Sequence, residues 1–225
     1  MNKNLRELLG DLPFTAEIDW MLRSKNRPRK DHFNLDRLQK SLPAAVEVVK
    51  PFAESATPGK KVLFFATLHY WIEQSAYLGL VLAGMGHDVT LLTLPYSEWH
   101  KQKDKFTQRQ RVLHTYDALA CLSPLVKHVS MLDMQSSSLA THGTLRAVRH
   151  DDLPEKILAD IKEVSLWDVQ YTLMREEVDM NDAGDKALYD LRIERNTFAA
   201  KAALQLMQTE KPDVVGTTAF TAEIV

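Results

Sequence analysis

Residues 60–96 read KKVLFFATLHYWIEQSAYLGLVLAGMGHDVTLLTLPY, and this stretch decides the fold. Val62–Ala66 is a continuous apolar run with β-branched and aromatic members, as expected of a strand covered on both faces. Thr67–Tyr70 leads out of that strand. Trp71–Met85 is apolar around most of its circumference and suits a helix buried against a sheet. Gly84 and Gly86 close it, because glycine accepts the left-handed conformation common at helix ends. His87–Leu94 returns as a second strand. Strand, crossover helix and strand of these lengths predict a right-handed parallel βαβ unit. Ligands of such sheets bind at the carboxyl ends of the strands. Thr67, Leu68, His69, Tyr70 and Trp71 therefore fall at the mouth of a candidate site, with Leu94, Pro95 and Tyr96 beside them.

Residues 1–59 read as a helical extension that precedes the first strand. Asn4–Leu9 forms a short helix ended by Gly10. Thr15–Arg23 starts on a capping threonine and places Ile18, Met21 and Leu22 on one face. Arg23–Lys30 (RSKNRPRK) is a basic loop interrupted by Pro28. It suits phosphate or an anionic membrane surface, and the plainer reading is a solvated loop. Leu35–Leu42 and Pro43–Glu54 read as two helices, with Pro43 in the first turn of the second. Thr57-Pro58-Gly59 turns the chain into the sheet.

Beyond Tyr96, Ser97–Asp104 is a polar loop carrying Trp99 and His100. Phe106–Leu122 is a helix on the spacing of Val112, Leu113, Tyr116, Leu119 and Ala120. Leu125–Leu132 alternates weakly and reads as a third strand. Leu153–Val164 is a helix with Pro154 in its first turn, and Ser165–Val178 continues it. Ala187–Thr209 is long and amphipathic. Lys211-Pro212-Asp213 turns into a last buried strand, Val214–Thr217. Phe220–Val225 reads as a helix opening without a cap. A parallel sheet without a return helix after its last strand predicts a domain, residues 60–225, truncated at its C-terminal end.

The 225 residues carry 28 Lys and Arg against 30 Asp and Glu, a net charge of −2 that argues against nucleic acid as a partner. One cysteine, Cys121, excludes an intramolecular disulfide and a cysteine zinc site. No signal peptide or spanning segment is visible, so the cytoplasm is the expected compartment. No Gly-rich dinucleotide fingerprint or phosphate loop follows a strand. The histidines show no metal-ligand spacing, so no metal is expected. Asp179, Asp182 and Asp185 lack the alternation of a calcium loop and read as solvated acids.

His69 is the sharpest chemical candidate. A histidine titrating near ~6.5 can take a proton from a hydroxyl at neutral pH. Glu73, four residues on, shares its helix face and suits the orientation of the imidazole or the binding of substrate. Tyr70, Trp71 and Trp99 are rings able to stack on a sugar. His87, at the opposite end of the sheet, reads as structural.

The succession of a strand, Thr67-Leu68-His69, an apolar helix and Gly84-Met85-Gly86-His87-Asp88-Val89-Thr90 resembles the opening of the N-terminal domain of GT-B glycosyltransferases. Lys211-Pro212-Asp213-Val214-Val215 resembles a late strand of the same domain. Asp168–Thr172, Glu176–Asp179 and Arg192–Asn196 look like bacterial glycosyltransferase-like proteins of the capsular-polysaccharide type. The resemblance implies an α/β, Rossmann-like parallel sheet with helices on both faces. It implies transfer of a sugar from a nucleotide-sugar donor to the hydroxyl of a sugar or glycolipid acceptor, with no cofactor. A C-terminal domain beyond this chain would hold the donor, so the chain alone is expected to be inactive. The role of base carries onto His69. The position expected to orient it holds Thr218, where the family often has an aspartate. Thr67, Tyr70, Trp71, Tyr96 and Trp99 would border the acceptor. Two alternatives share the fold class. One is a cobalamin- or nucleotide-binding domain, suggested by Val214–Glu223; the other is a non-catalytic interaction domain.

Overall fold

The computed structural model describes residues 8–10, 12–23, 33–95, 105–132 and 153–217. Its regular elements are α1 (Thr15–Arg23), α2 (Asp36–Ser55), β1 (Lys61–Ala66), α3 (His69–Gly84), β2 (Asp88–Thr93), α4 (Lys105–Leu119), β3 (Val126–Ser130), α5 (Glu155–Leu173), α6 (Ala183–Glu210) and β4 (Val214–Thr217). The strands form one parallel sheet in the order β3-β2-β1-β4. The expected α/β, Rossmann-like sheet with a helical N-terminal part is what the chain forms. The order reverses beside β1: β2 and β3 continue to one side, and β4 pairs on the other.

The chain divides into two compact units. The first holds α1 to α4 and all four strands. Its core joins Val62, Phe64 and Ala66 of β1 and Val89 and Leu91 of β2 to Leu38, Leu42 and Val46 of α2 and to Ile72, Ala76 and Leu80 of α3. The alternate residues Leu63, Phe65 and Leu92 are buried as well. Burial of both faces explains why β1 and β2 read as apolar runs without alternation.

The second unit holds α5 and α6, which pack antiparallel. Leu153, Ile161 and Ala200 form its small apolar core. Beside that core runs a buried polar ladder. Arg192 donates from Nε to Asp168 Oδ2 at 2.6 Å and forms an ion pair with the same oxygen, Nη2 lying 2.5 Å from it, and Asn196 donates to Ser165 Oγ at 2.9 Å.

Four local expectations need correction. The last strand, β4, pairs as expected but is not buried, with Val214 and Val215 44% and 49% exposed. Residues 36–55 form one helix, with Pro43 and Pro51 inside it, rather than two helices meeting at Pro43. Leu38, Leu42 and Val46 lie on one stripe, and keeping all three in the core outweighs the backbone bonds that proline removes. The helix beginning at Lys105 passes into a tight turn at Ala120–Leu122, and its buried face mixes apolar residues, among them Val112 and Leu119, with polar ones. Arg111, His114 and Thr115 are buried, while Tyr116 is partly exposed. The acids after α5 are also not simply solvated. Asp182 caps α6 by accepting from the amides of Gly184 and Asp185. Asp185 is buried, accepts from the Asp179 amide and pairs with Arg175 at 3.3 Å.

The turn before β2 depends on Gly86, which sits at φ +90°. A Cβ there would lie 2.1 Å from the backbone oxygen of Thr57. Gly86→Ala must therefore strain the backbone and displace the strand entry, at a cost of about 2 kcal/mol or more. A urea melt of this variant with an unchanged midpoint would show that the turn relaxes freely. His87 completes the turn structurally, as read from the sequence: its Nδ1 accepts from the Lys60 amide at 2.9 Å.

Candidate functional site

The sheet's carboxyl edge collects the ends of β1 at Ala66, β2 at Thr93, β3 at Ser130 and β4 at Thr217. The reversal of strand order lies between β1 and β4, so the loop after β1 borders the crevice where such sheets bind ligands. That loop is short. Thr67 and Leu68 separate β1 from α3, whose first residue is His69. Leu68 is extended at the cap and offers no side-chain cap, so the first amides of α3 face the edge without a capping side chain.

His69 is half-buried at this edge. Its ring stands edge-on to Phe33, 6.4 Å between centroids, and to Tyr70 at 5.2 Å. Among the described residues no hydrogen bond reaches the His69 ring from a side chain. Glu73 lies one turn along α3, half-buried, and among the described residues its carboxylate makes no hydrogen bond with that ring. Among the described residues both imidazole nitrogens are thus without a side-chain partner, the condition a general base requires.

The other expected residues divide by burial. Thr67 is 2% exposed, so its hydroxyl is inside the edge. Trp71 packs against the core of the first unit. Tyr70 is 42% exposed and stacks at an angle on Trp71, with 4.9 Å between rings, so among the described residues of the expected site it is the ring more open to a ligand. Tyr96, Trp99 and Thr218 lie outside the described residues, as do His100 and the stretch 24–32.

The structure adds neighbours that the sequence did not single out. Phe33 stands between His69 and His114, 6.3 Å from the latter. The Arg111 guanidinium lies 5.5 Å from the Phe33 ring centroid, and Trp20 is 5.7 Å from His114. Cations favour the face of an aromatic ring, so Phe33 helps to hold a buried Arg111. His114 is 1% exposed, and its Nε2 accepts from the Leu35 amide at 2.9 Å. That nitrogen is occupied by backbone and serves the start of α2, so His114 is a support for the site rather than a base. The signal available in the sequence was the pair Arg111 and His114, three apart and hence on one helical face. The apolar spacing of the same helix masked it.

A second histidine lies within the sheet. His128 Nε2 and Thr93 Oγ1 are 2.9 Å apart, and its ring is 4.6 Å from Tyr116. Burial pushes the His128 pKa down to about 4. The unfolded chain would hold this proton up to about pH 6.5, so between about 4 and 6.5 the unfolded state binds more protons. Stability is then full above about pH 6.5 and falls as the pH drops toward 4. The shift corresponds to about 3 kcal/mol over that window. His128→Gln, which can still bond Thr93, should flatten the dependence of the urea midpoint across this range. An equally steep acid loss in the variant would assign the dependence to other groups.

Among the described residues no group of three or more His, Cys, Asp and Glu side chains is placed to hold a metal ion. Compared with family models, curated proteins and solved structures, the chain has no match in any of the three.

Proposed function

We propose that the carboxyl edge of the first unit binds the acceptor of a glycosyl transfer, with His69 as the base that takes the proton of the acceptor hydroxyl. The observation that carries this reading is the position of His69. It opens α3 beside the point where the strand order reverses, with no hydrogen-bond partner for its ring among the described residues. On this reading Tyr70 offers its exposed face to a sugar ring, and Glu73 is near enough in sequence to accept a substrate hydroxyl. The nucleotide-sugar donor is held by a second α/β domain that faces this edge, as the resemblance to GT-B enzymes implies.

A dinucleotide or cobalamin site at the same edge has less support. Pyrophosphate binding at such a loop needs glycines that let phosphate approach the backbone, and Thr67-Leu68-His69-Tyr70 has none. The test is sugar transfer by the full-length protein with and without His69. Chemical-shift titration of the His69 ring with candidate acceptors gives an independent measure. Acceptors that leave the ring signal unmoved, together with full transfer in the absence of His69, would reject the reading.

A further inference from the structure

We propose that the outer face of α1 seats on an anionic phospholipid surface. The inference is independent of the glycosyl-transfer reading. Helix α1 is amphipathic, but it is mounted with its polar side inward. Arg109 of α4 forms an ion pair with Glu17, Gln110 Nε2 donates to Asp19 at 2.7 Å, and Trp20 Nε1 donates to Asp117 at 2.8 Å. Burial works against the charge on Glu17, but the hydrogen bonds and charge of Arg109 prevail and hold its carboxyl below the usual range. Ala16 is fully buried beneath these contacts. Hydrogen bonds on one side thus fix the rotation of the helix.

The apolar residues are left outside. Ile18 is 55% exposed, Met21 76% and Leu22 78%, and Phe14 just before the helix is 70% exposed. Positions 14, 18, 21 and 22 form one stripe at helical spacing. An ordinary surface helix buries such a stripe.

Charge selects the occupant. In sequence, α1 runs directly into Arg23-Ser24-Lys25-Asn26-Arg27-Pro28-Arg29-Lys30, five cations within eight residues of a chain whose net charge is −2. An anionic bilayer offers apolar depth for the stripe and negative headgroups for the cations together. Among the described residues no helix is long and apolar enough to cross a membrane, so the contact is peripheral.

The test is co-sedimentation of the protein with phosphatidylcholine vesicles and with vesicles containing about one third phosphatidylglycerol. Binding should require the anionic lipid and weaken as salt is raised. Met21→Asp and Leu22→Asp should each lower the partition coefficient about tenfold or more, since a buried apolar side chain is replaced by a charge. Lys25→Ala should lower it about fivefold. Both aspartate variants change exposed side chains, so unchanged thermal melts should accompany the loss. Absence of binding to anionic vesicles, or binding that both variants retain, overturns the proposal. A dimer in light scattering that both variants disperse, with no vesicle binding, also overturns it and assigns the face to self-association.

Discussion

His69→Ala in the full-length protein should lower sugar-transfer turnover by about 10²–10⁴-fold, the range typical of a lost general base. The side chain is half-buried at the start of α3 and touches Phe33 and Tyr70 by its edges only. Its removal should therefore leave the melting temperature nearly unchanged. The loss should appear in kcat more than in KM, because the proton is taken in the transition state. His69→Gln should not restore turnover, since an amide keeps hydrogen bonding but cannot accept the proton. Glu73→Gln should act more weakly, because among the described residues Glu73 makes no hydrogen bond with the ring. Near-wild-type turnover in His69→Ala would leave the histidine as a helix-end residue and sink the acceptor-site reading.

Asp168→Ala should cost about 3–5 kcal/mol, the usual penalty for removing one member of a buried ion pair. Arg192 is 2% exposed, donates from Nε to Asp168 and is ion-paired with the same carboxylate. Without that carboxylate the guanidinium keeps its charge inside the α5–α6 unit and loses its counter-charge. The effect should be local, so amide exchange along α6 around Arg192 is the suitable measurement. Protection there should fall by about 10²–10³-fold. Asp168→Leu combined with Arg192→Met removes both charges and should recover much of the loss, because an apolar pair of similar size often serves as well. If the single variant leaves α6 protection unchanged, the pair contributes little to this unit.

The three stability experiments concern two units. Gly86 and His128 report on the sheet, and Asp168 reports on the helical pair.

The parallel sheet was legible because β1 and β2 are buried on both faces and carry no polar alternation. The crossover helix between them was legible for the same reason. Other features needed the fold. The stripe of Leu38, Leu42 and Val46 carries α2 through Pro43, although local chemistry places a boundary there. Local propensity is a weak prior against three core side chains on one face.

The candidate site was half legible. The place of His69 followed from one strand, one short loop and one helix start, all contiguous in sequence. The company it keeps did not. Phe33, Arg111 and His114 come from segments far apart in the chain and meet only when α2, α3 and α4 pack. A buried arginine and histidine imitate a solvated helix face in sequence, because residue type alone cannot reveal a partner elsewhere in the chain. The same limit hid the mounting of α1. Its amphipathic spacing was visible, but which side faces the protein was decided by Arg109, Gln110 and Asp117 on α4. The sequence by itself determined the elements and the parallel sheet, since these rest on local periodicity and continuous apolar runs. Only the tertiary structure decided which polar groups are buried and which apolar groups are left outside, since that depends on partners brought from distant segments.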